Sequence, residues 1–161
     1  MSLPSYLPVL RGWKSHYPTK EQVLLEPGKS LALINESKPG WFGFGMLTMD
    51  SPYGILHVQI DEAKLETSPY VCQVLGLVTY PNSHIFCSMY DPLHGIFNLA
   101  YVPSVNMPFE RLMCYVIAPV KDPFGAPITA SLRVMMLGCG YWIVENSAEF
   151  KASVREIQAP V

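Results

Sequence analysis

Residues 38–61 read KPGWFGFGMLTMDSPYGILHVQID, and the reading of this stretch decides the fold. It divides into two apolar runs, at about 41–49 and 53–60, around the turn-forming group Asp50-Ser51-Pro52-Tyr53-Gly54. Asp accepts bonds from backbone N–H groups just ahead of it, and Pro presets φ for a turn. In the second run Leu56, Val58 and Ile60 alternate with Ile55, His57 and Gln59. A period of two puts one wholly apolar face and one mixed face on a strand. The stretch is therefore expected to be a β-hairpin. Gly43 and Gly45 alternate with Phe42 and Phe44 in its first strand. Glycine on one face of a strand admits an aromatic ring from a facing sheet, or a ligand, or marks a bulge.

Outward from this hairpin the same punctuation recurs. Fifteen prolines and eleven glycines break a chain of 161 residues into short apolar runs. Strands are expected at 22–26, 30–36, 85–90, 95–102, 109–118, 129–137 and 141–144. The runs at 85–90 and 95–102 form a second hairpin around Asp91-Pro92-Leu93-His94-Gly95. Residues 109–118 (FERLMCYVIA) are apolar on both faces after Arg111 and suit a central strand. Gly138-Cys139-Gly140 should kink the backbone before the last strand. Residues 62–68 are polar and read as an exposed loop, while 69–78 fit either a strand or a short helical turn. Asn146 with Glu149 resembles a capping box for a short C-terminal helix with Phe150, Val154 and Ile157 on its buried face. Short strands between such breaks predict an all-β sandwich or barrel. Its core would hold Leu56, Val58, Ile60, Leu112, Cys114, Val116, Leu132, Val134 and Met136.

Composition narrows the function classes. Charged residues make up 15% and hydrophobic residues 50%, against a usual charged share of about 25%. So little charge implies a large interior, surface covered by neighbours, or both. The net charge is −2, and no two Lys or Arg residues adjoin. That excludes the electrostatic footprint of direct nucleic-acid binding. The longest apolar runs, such as LMCYVIA at 112–118, fall far short of the ~20 residues of a membrane-spanning helix. The opening MSLPSYLPVLRGW lacks the charged and apolar regions of a secretory signal. Cys72, Cys87, Cys114 and Cys139 are widely spaced without C-x-x-C and are expected to be reduced, small core residues.

No catalytic or metal constellation is legible, and no cofactor is expected. His16, His57, His84 and His94 share no metal-ligand spacing and no spacing to a carboxylate. Glu36, Asp50, Asp61, Asp91 and Glu110 could supply paired carboxylates, but most sit at strand ends or turns, where local roles hold them. No nucleophile elbow, Walker loop or dinucleotide fingerprint occurs. Trp13, Trp41, Trp142, Tyr53 and Tyr90 are the aromatics available to stack on a sugar.

Residues 1–20 combine three prolines with Tyr6, Leu7, Val9, Leu10, Trp13 and Tyr17. Proline excludes a regular helix or central strand here, and the segment is too apolar for a solvated tail. It is expected to be an extended N-terminal arm whose six apolar residues form a contact surface, on its own domain or on a neighbouring copy. The domain layout is then arm at 1–20, sandwich at 21–146, and short helix or tail at 147–161.

The order VLLEPGKSLALI, GWFGFG, DSPYGILHVQID, then PFERLMCYVIAPV and ITASLRVMMLGCGYWIV, resembles small β-sandwich virion structural proteins of tailed bacteriophages. The resemblance covers most of residues 22–144. It implies an antiparallel, jelly-roll-like β-sandwich and a non-enzymatic capsid, neck, baseplate or fibre subunit. Such a subunit would work as a homo-oligomer, with copies of itself and other virion proteins as partners, in a virion assembled in the host cytoplasm. The alternative from another class is a β-sandwich module binding a glycan or other ligand, marked by two or three exposed aromatics beside polar groups. A third class, a small jelly-roll enzyme, would require a cleft with convergent carboxylates or histidines.

Overall fold

The computed structural model describes residues 13–78, 84–104, 106–146 and 148. They form two facing antiparallel sheets and one short helix. The elements are β1 (Trp13–His16), β2 (Thr19–Leu25), β3 (Ser30–Glu36), β4 (Gly40–Met49), β5 (Ile55–Ile60), β6 (Ala63–Thr67), α1 (Pro69–Val74), β7 (Ile85–Asp91), β8 (Ile96–Tyr101), β9 (Met107–Phe109), β10 (Leu112–Ile117) and β11 (Leu132–Val144). The larger sheet runs β1-β11-β4-β8-β7, with β2 also on β11 and β9 also on β4. The smaller runs β3-β10-β5-β6. Taken alone, the orders β2-β11-β4-β8 and β3-β10-β5-β6 are those of a jelly roll. The expected all-β sandwich is the fold.

The stretch at 38–61 forms its two strands but no hairpin. β4 pairs with β11, β8 and β9 in the larger sheet, whereas β5 pairs with β10 and β6 in the smaller. The connection at 50–54 crosses between sheets. Phe42, Leu47 and Met49 from β4 then meet Leu56, Val58 and Ile60 from β5 across the core, all buried. A hairpin would have set these apolar residues side by side on one sheet with nothing facing them.

Two aspartates, one at the start of this crossing and one after β5, anchor the chain in the same way. Asp50 donates its N–H to the Arg133 carbonyl and accepts the Arg133 N–H on Oδ1. Asp61 donates to the Arg111 carbonyl and accepts from Arg111 and Glu110 on Oδ1. Asp61 also takes the left-handed conformation, φ 54°, that the tight β5–β6 turn requires. Its grip on residues 110 and 111 divides the expected long strand into β9 in one sheet and β10 in the other. β10 is nevertheless central, between β3 and β5.

Three further expectations change. Residues 62–68 are not a loop: β6 pairs with β5, and their polarity suits an edge strand with one face in water. The ambiguous segment at 69–78 begins as α1, because Ser68 caps it through the Val71 N–H and Pro69 occupies the first turn. The strands at 129–137 and 141–144 are one, β11, which passes through Gly138-Cys139-Gly140 without ending. It holds a bulge between Val134 and Met136, opposite which Gln22 on β2 adopts φ 52°. The bulge reverses the inward phase, so Leu137 is fully buried and Met136 is 40% exposed. The other eight expected core residues are buried.

The glycine question in β4 has an answer within the sheet. A Cβ on Gly43 would lie 2.8 Å from the Trp142 ring, and one on Gly140 would run into the Phe44 ring. Each strand of the β4–β11 pair thus lays an aromatic over the other's glycine. The ring comes from the neighbouring strand, where a facing sheet was expected.

Of the arm at 1–20, residues 13–20 are described. They include β1 and the start of β2, both hydrogen-bonded to β11 of the same chain. Tyr17 is exposed and its ring lies 6.4 Å from Phe44. Tyr6, Leu7, Val9 and Leu10 lie outside the described residues, as does the side chain of Trp13. The C-terminal helix expected at 147–161 also falls, but for residue 148, outside them.

Candidate binding cleft

Three connections converge at one end of the smaller sheet: 50–54 between β4 and β5, the β6–α1 junction, and the loop from β10 to β11. A Tyr70 N–H bond to the Pro52 carbonyl, 2.9 Å, ties α1 to the first. The third is a compact turn. Asp122 Oδ1 accepts from the Phe124 and Ala126 N–H groups, both at 2.9 Å, and Lys121 bridges to Pro127. This turn holds Phe124 out at 75% exposure. An open cleft of about 310 Å³ lies between the three, lined by Tyr53, Ile55, Glu66, Thr67, Ser68, Val71, Pro119, Lys121, Asp122 and Pro123.

A chain of rings leads out from the cleft at Tyr53, the ring that lines it. Tyr53 and Tyr70 are edge-to-face at 5.7 Å, and Tyr70 meets Phe124 edge-to-face at 5.7 Å. Several polar groups at the rim are already committed. The Ser68 hydroxyl caps α1, Thr67 Oγ1 lies 3.5 Å from the Cys72 sulfur, and Asp122 Oδ1 holds its own turn. The Lys121 ammonium and the second oxygen of the Glu66 carboxylate, whose Oε1 is held by His57, remain to face a ligand.

Glu66 leads to a second feature. On the outward face of the smaller sheet the register sets Tyr115, His57 and Glu66 side by side on β10, β5 and β6. The His57 ring stacks on Tyr115 at 4.1 Å, and its Nδ1 donates to Glu66 Oε1 at 2.6 Å. His57 is 2% exposed, and its Nε2 has no hydrogen-bond partner. Asp91 and His94 are near one another in the sequence, but nothing there joined His57 to Glu66, which stood in what read as a loop. Only the β5–β6 register opposes the two.

The other candidates serve local structure. Glu36 accepts from the Ser37 and Lys38 N–H groups, and Asp50 and Asp61 anchor strands. Asp91 accepts from the Leu93 and His94 N–H groups and from His94 Nδ1 at 2.7 Å, which holds its carboxyl below the usual range. Asp61 and Glu110 share an open groove with Gln59, Glu62, Lys64 and Arg111. Among the expected aromatics, Tyr53 reaches the cleft. Trp41 and Trp142 are half-buried, and Tyr90 packs edge-to-face on Phe97 at 4.9 Å. Among the described residues no group of three or more His, Cys, Asp or Glu could hold a metal ion. No helix among them is long and apolar enough to cross a membrane.

No family model matches the chain, and no curated protein matches it. Among solved structures it is similar to that of FLHE, at TM-score 0.34 and 10% identity, over 82% of this chain and 97% of that chain. The expectation of a bacteriophage virion subunit is corrected here: no family model and no curated protein supports it, and the solved structure reported is that of FLHE. The likeness behind that expectation was an order of strands and turns, and one such layout hosts many unrelated functions.

Proposed function

We propose that the chain is a non-catalytic binding module whose cleft between the three converging connections takes a small carbohydrate. The observation that carries this reading is that Tyr53, Lys121 and Glu66 line the cleft together, with Tyr53 continued by Tyr70 and Phe124 in a series of rings. A sugar offers an apolar C–H face to aromatic rings and hydroxyls to a carboxylate and an ammonium. Ligand pockets generally span about 300–1,000 Å³. A cleft of about 310 Å³ suits one or two sugar rings.

The test is an NMR titration with glucose, galactose, N-acetylglucosamine and their β-linked disaccharides. At least one is expected to shift amides of Ile55, Val71, Lys121 and Phe124 together. Phe124→Ala should weaken that binding by about tenfold, a loss of ~1.4 kcal/mol, without lowering the melting temperature. If none of these sugars moves those amides at millimolar concentration, the carbohydrate reading fails.

A further inference from the structure

Cys114 and Cys139 meet across the middle of the sandwich, and the strand registers say why. Cys114 stands opposite Val58 on the β10–β5 ladder, and Cys139 opposite Gly45 on the β11–β4 ladder. A Cβ on Gly45 would lie 3.8 Å from Val58 Cγ2, so these two cross-strand pairs face each other. Both thiols are buried, at 0% and 2% exposure, within the same core and close enough to influence each other. Both strands have partners on both edges, so a bond here would join the centre of one sheet to the centre of the other.

The other two cysteines are also buried and free, but each is engaged elsewhere. The Cys72 sulfur lies 3.5 Å from Thr67 Oγ1, and the Cys87 thiol donates to the Met89 carbonyl at 3.1 Å.

We propose that Cys114 and Cys139 form an inter-sheet disulfide when the chain folds in an oxidising medium, and that the closed sandwich then preserves whichever redox state it folded in. The oxidant is a low-molecular-weight disulfide such as oxidised glutathione. One cysteine thiolate attacks it, forming a mixed disulfide and releasing one glutathione. The second cysteine attacks the mixed disulfide and releases the other. One S–S bond breaks and one forms, and the two glutathione thiols take up the two electrons and two protons. Exchange needs a thiolate. In the folded chain the nearby Cys114 thiol and burial together push the Cys139 thiol far up. Exchange therefore belongs to the open chain.

The experiment is refolding of the full chain from denaturant, in a mixture of oxidised and reduced glutathione or in dithiothreitol. Remaining thiols are blocked and the product is read by intact mass and non-reducing peptide mapping. In glutathione the expected product has lost two hydrogens and carries one link, Cys114 to Cys139. It should melt about 5–10 °C above the dithiothreitol product. The folded, reduced protein held in the same glutathione mixture should keep four thiols. The variant Cys72→Ala/Cys87→Ala, which retains only the proposed pair, should form the same link. A native-like product in glutathione with four free thiols, or with a different link, overturns the proposal. So does failure to refold in glutathione when refolding in dithiothreitol succeeds. Rapid oxidation of the folded reduced protein overturns the second half.

Discussion

Single aspartates do much of the positioning in this molecule. Asp50, Asp61, Asp91 and Asp122 each spend a carboxylate on backbone N–H groups at a turn or strand end. Their number initially suggests acid–base chemistry, but a carboxylate accepting several backbone N–H bonds is more useful where it is ionised and fixed. Asp91 carries a consequence for pH. Its carboxyl is held low, first by the hydrogen bond from the His94 side chain and then by the His94 N–H. A depressed native pKa contributes stability above the unfolded-state value, and that contribution is lost as pH falls through the native value. We expect the Asp91 carboxyl resonance, followed by NMR, to titrate below that of an unfolded-state peptide. His94→Ala should move it back toward the peptide value. An Asp91 midpoint at or above the peptide's would show that the turn is not held this way.

The element that most alters the reading is β11. It is 13 residues long and forms ladders with β1, β2 and β4. Its bulge determines which methionine or leucine enters the core. Simple alternation from Leu132 and Val134 points to Met136, yet the extra residue turns Leu137 inward. Leu137→Ala should therefore cost about 2–5 kcal/mol, the usual range for truncating a buried leucine. Met136→Ala should stay within ~0.5 kcal/mol, as for most surface changes. Urea denaturation of the two variants checks this, and equal destabilisation would place the bulge elsewhere. Gly140, which follows Cys139 in the same strand, is there for a packing reason. Gly140 sits beneath the Phe44 ring, and no side chain fits there.

At the scale of the whole molecule, the edge made by β1 and β2 closes the larger sheet along β11. Unpaired β11 would be a long exposed edge of the kind that promotes association. Deletion of residues 1–20 removes β1 and the first two residues of β2. We expect the truncated chain to melt at lower temperature and to aggregate before the intact chain. Thermal denaturation followed by circular dichroism and light scattering measures both. An unchanged melting temperature would mean that residues 13–20 add nothing to the fold.

What the sequence determined by itself was the strands and their punctuation. Short apolar runs between breaks, with period-two alternation in β5, identify β3 to the residue and β4, β5, β7 and β8 to within a few. Proline, glycine and aspartate mark the breaks, because these signals act between neighbours along the chain. Eight of the nine expected core residues followed from the same alternation. Tertiary structure alone decided which strand pairs with which. A turn such as Asp50-Ser51-Pro52-Tyr53-Gly54 can close a hairpin or carry the chain to the opposite sheet, and local composition is the same in both. The outcome depends on what covers the apolar face, here β5 over β4. The cleft, the His57–Glu66 pair and the apposed Cys114 and Cys139 all follow from that pairing. Their members lie far apart or without a motif in the chain, and the energy that unites them comes from burying the two sheets against each other.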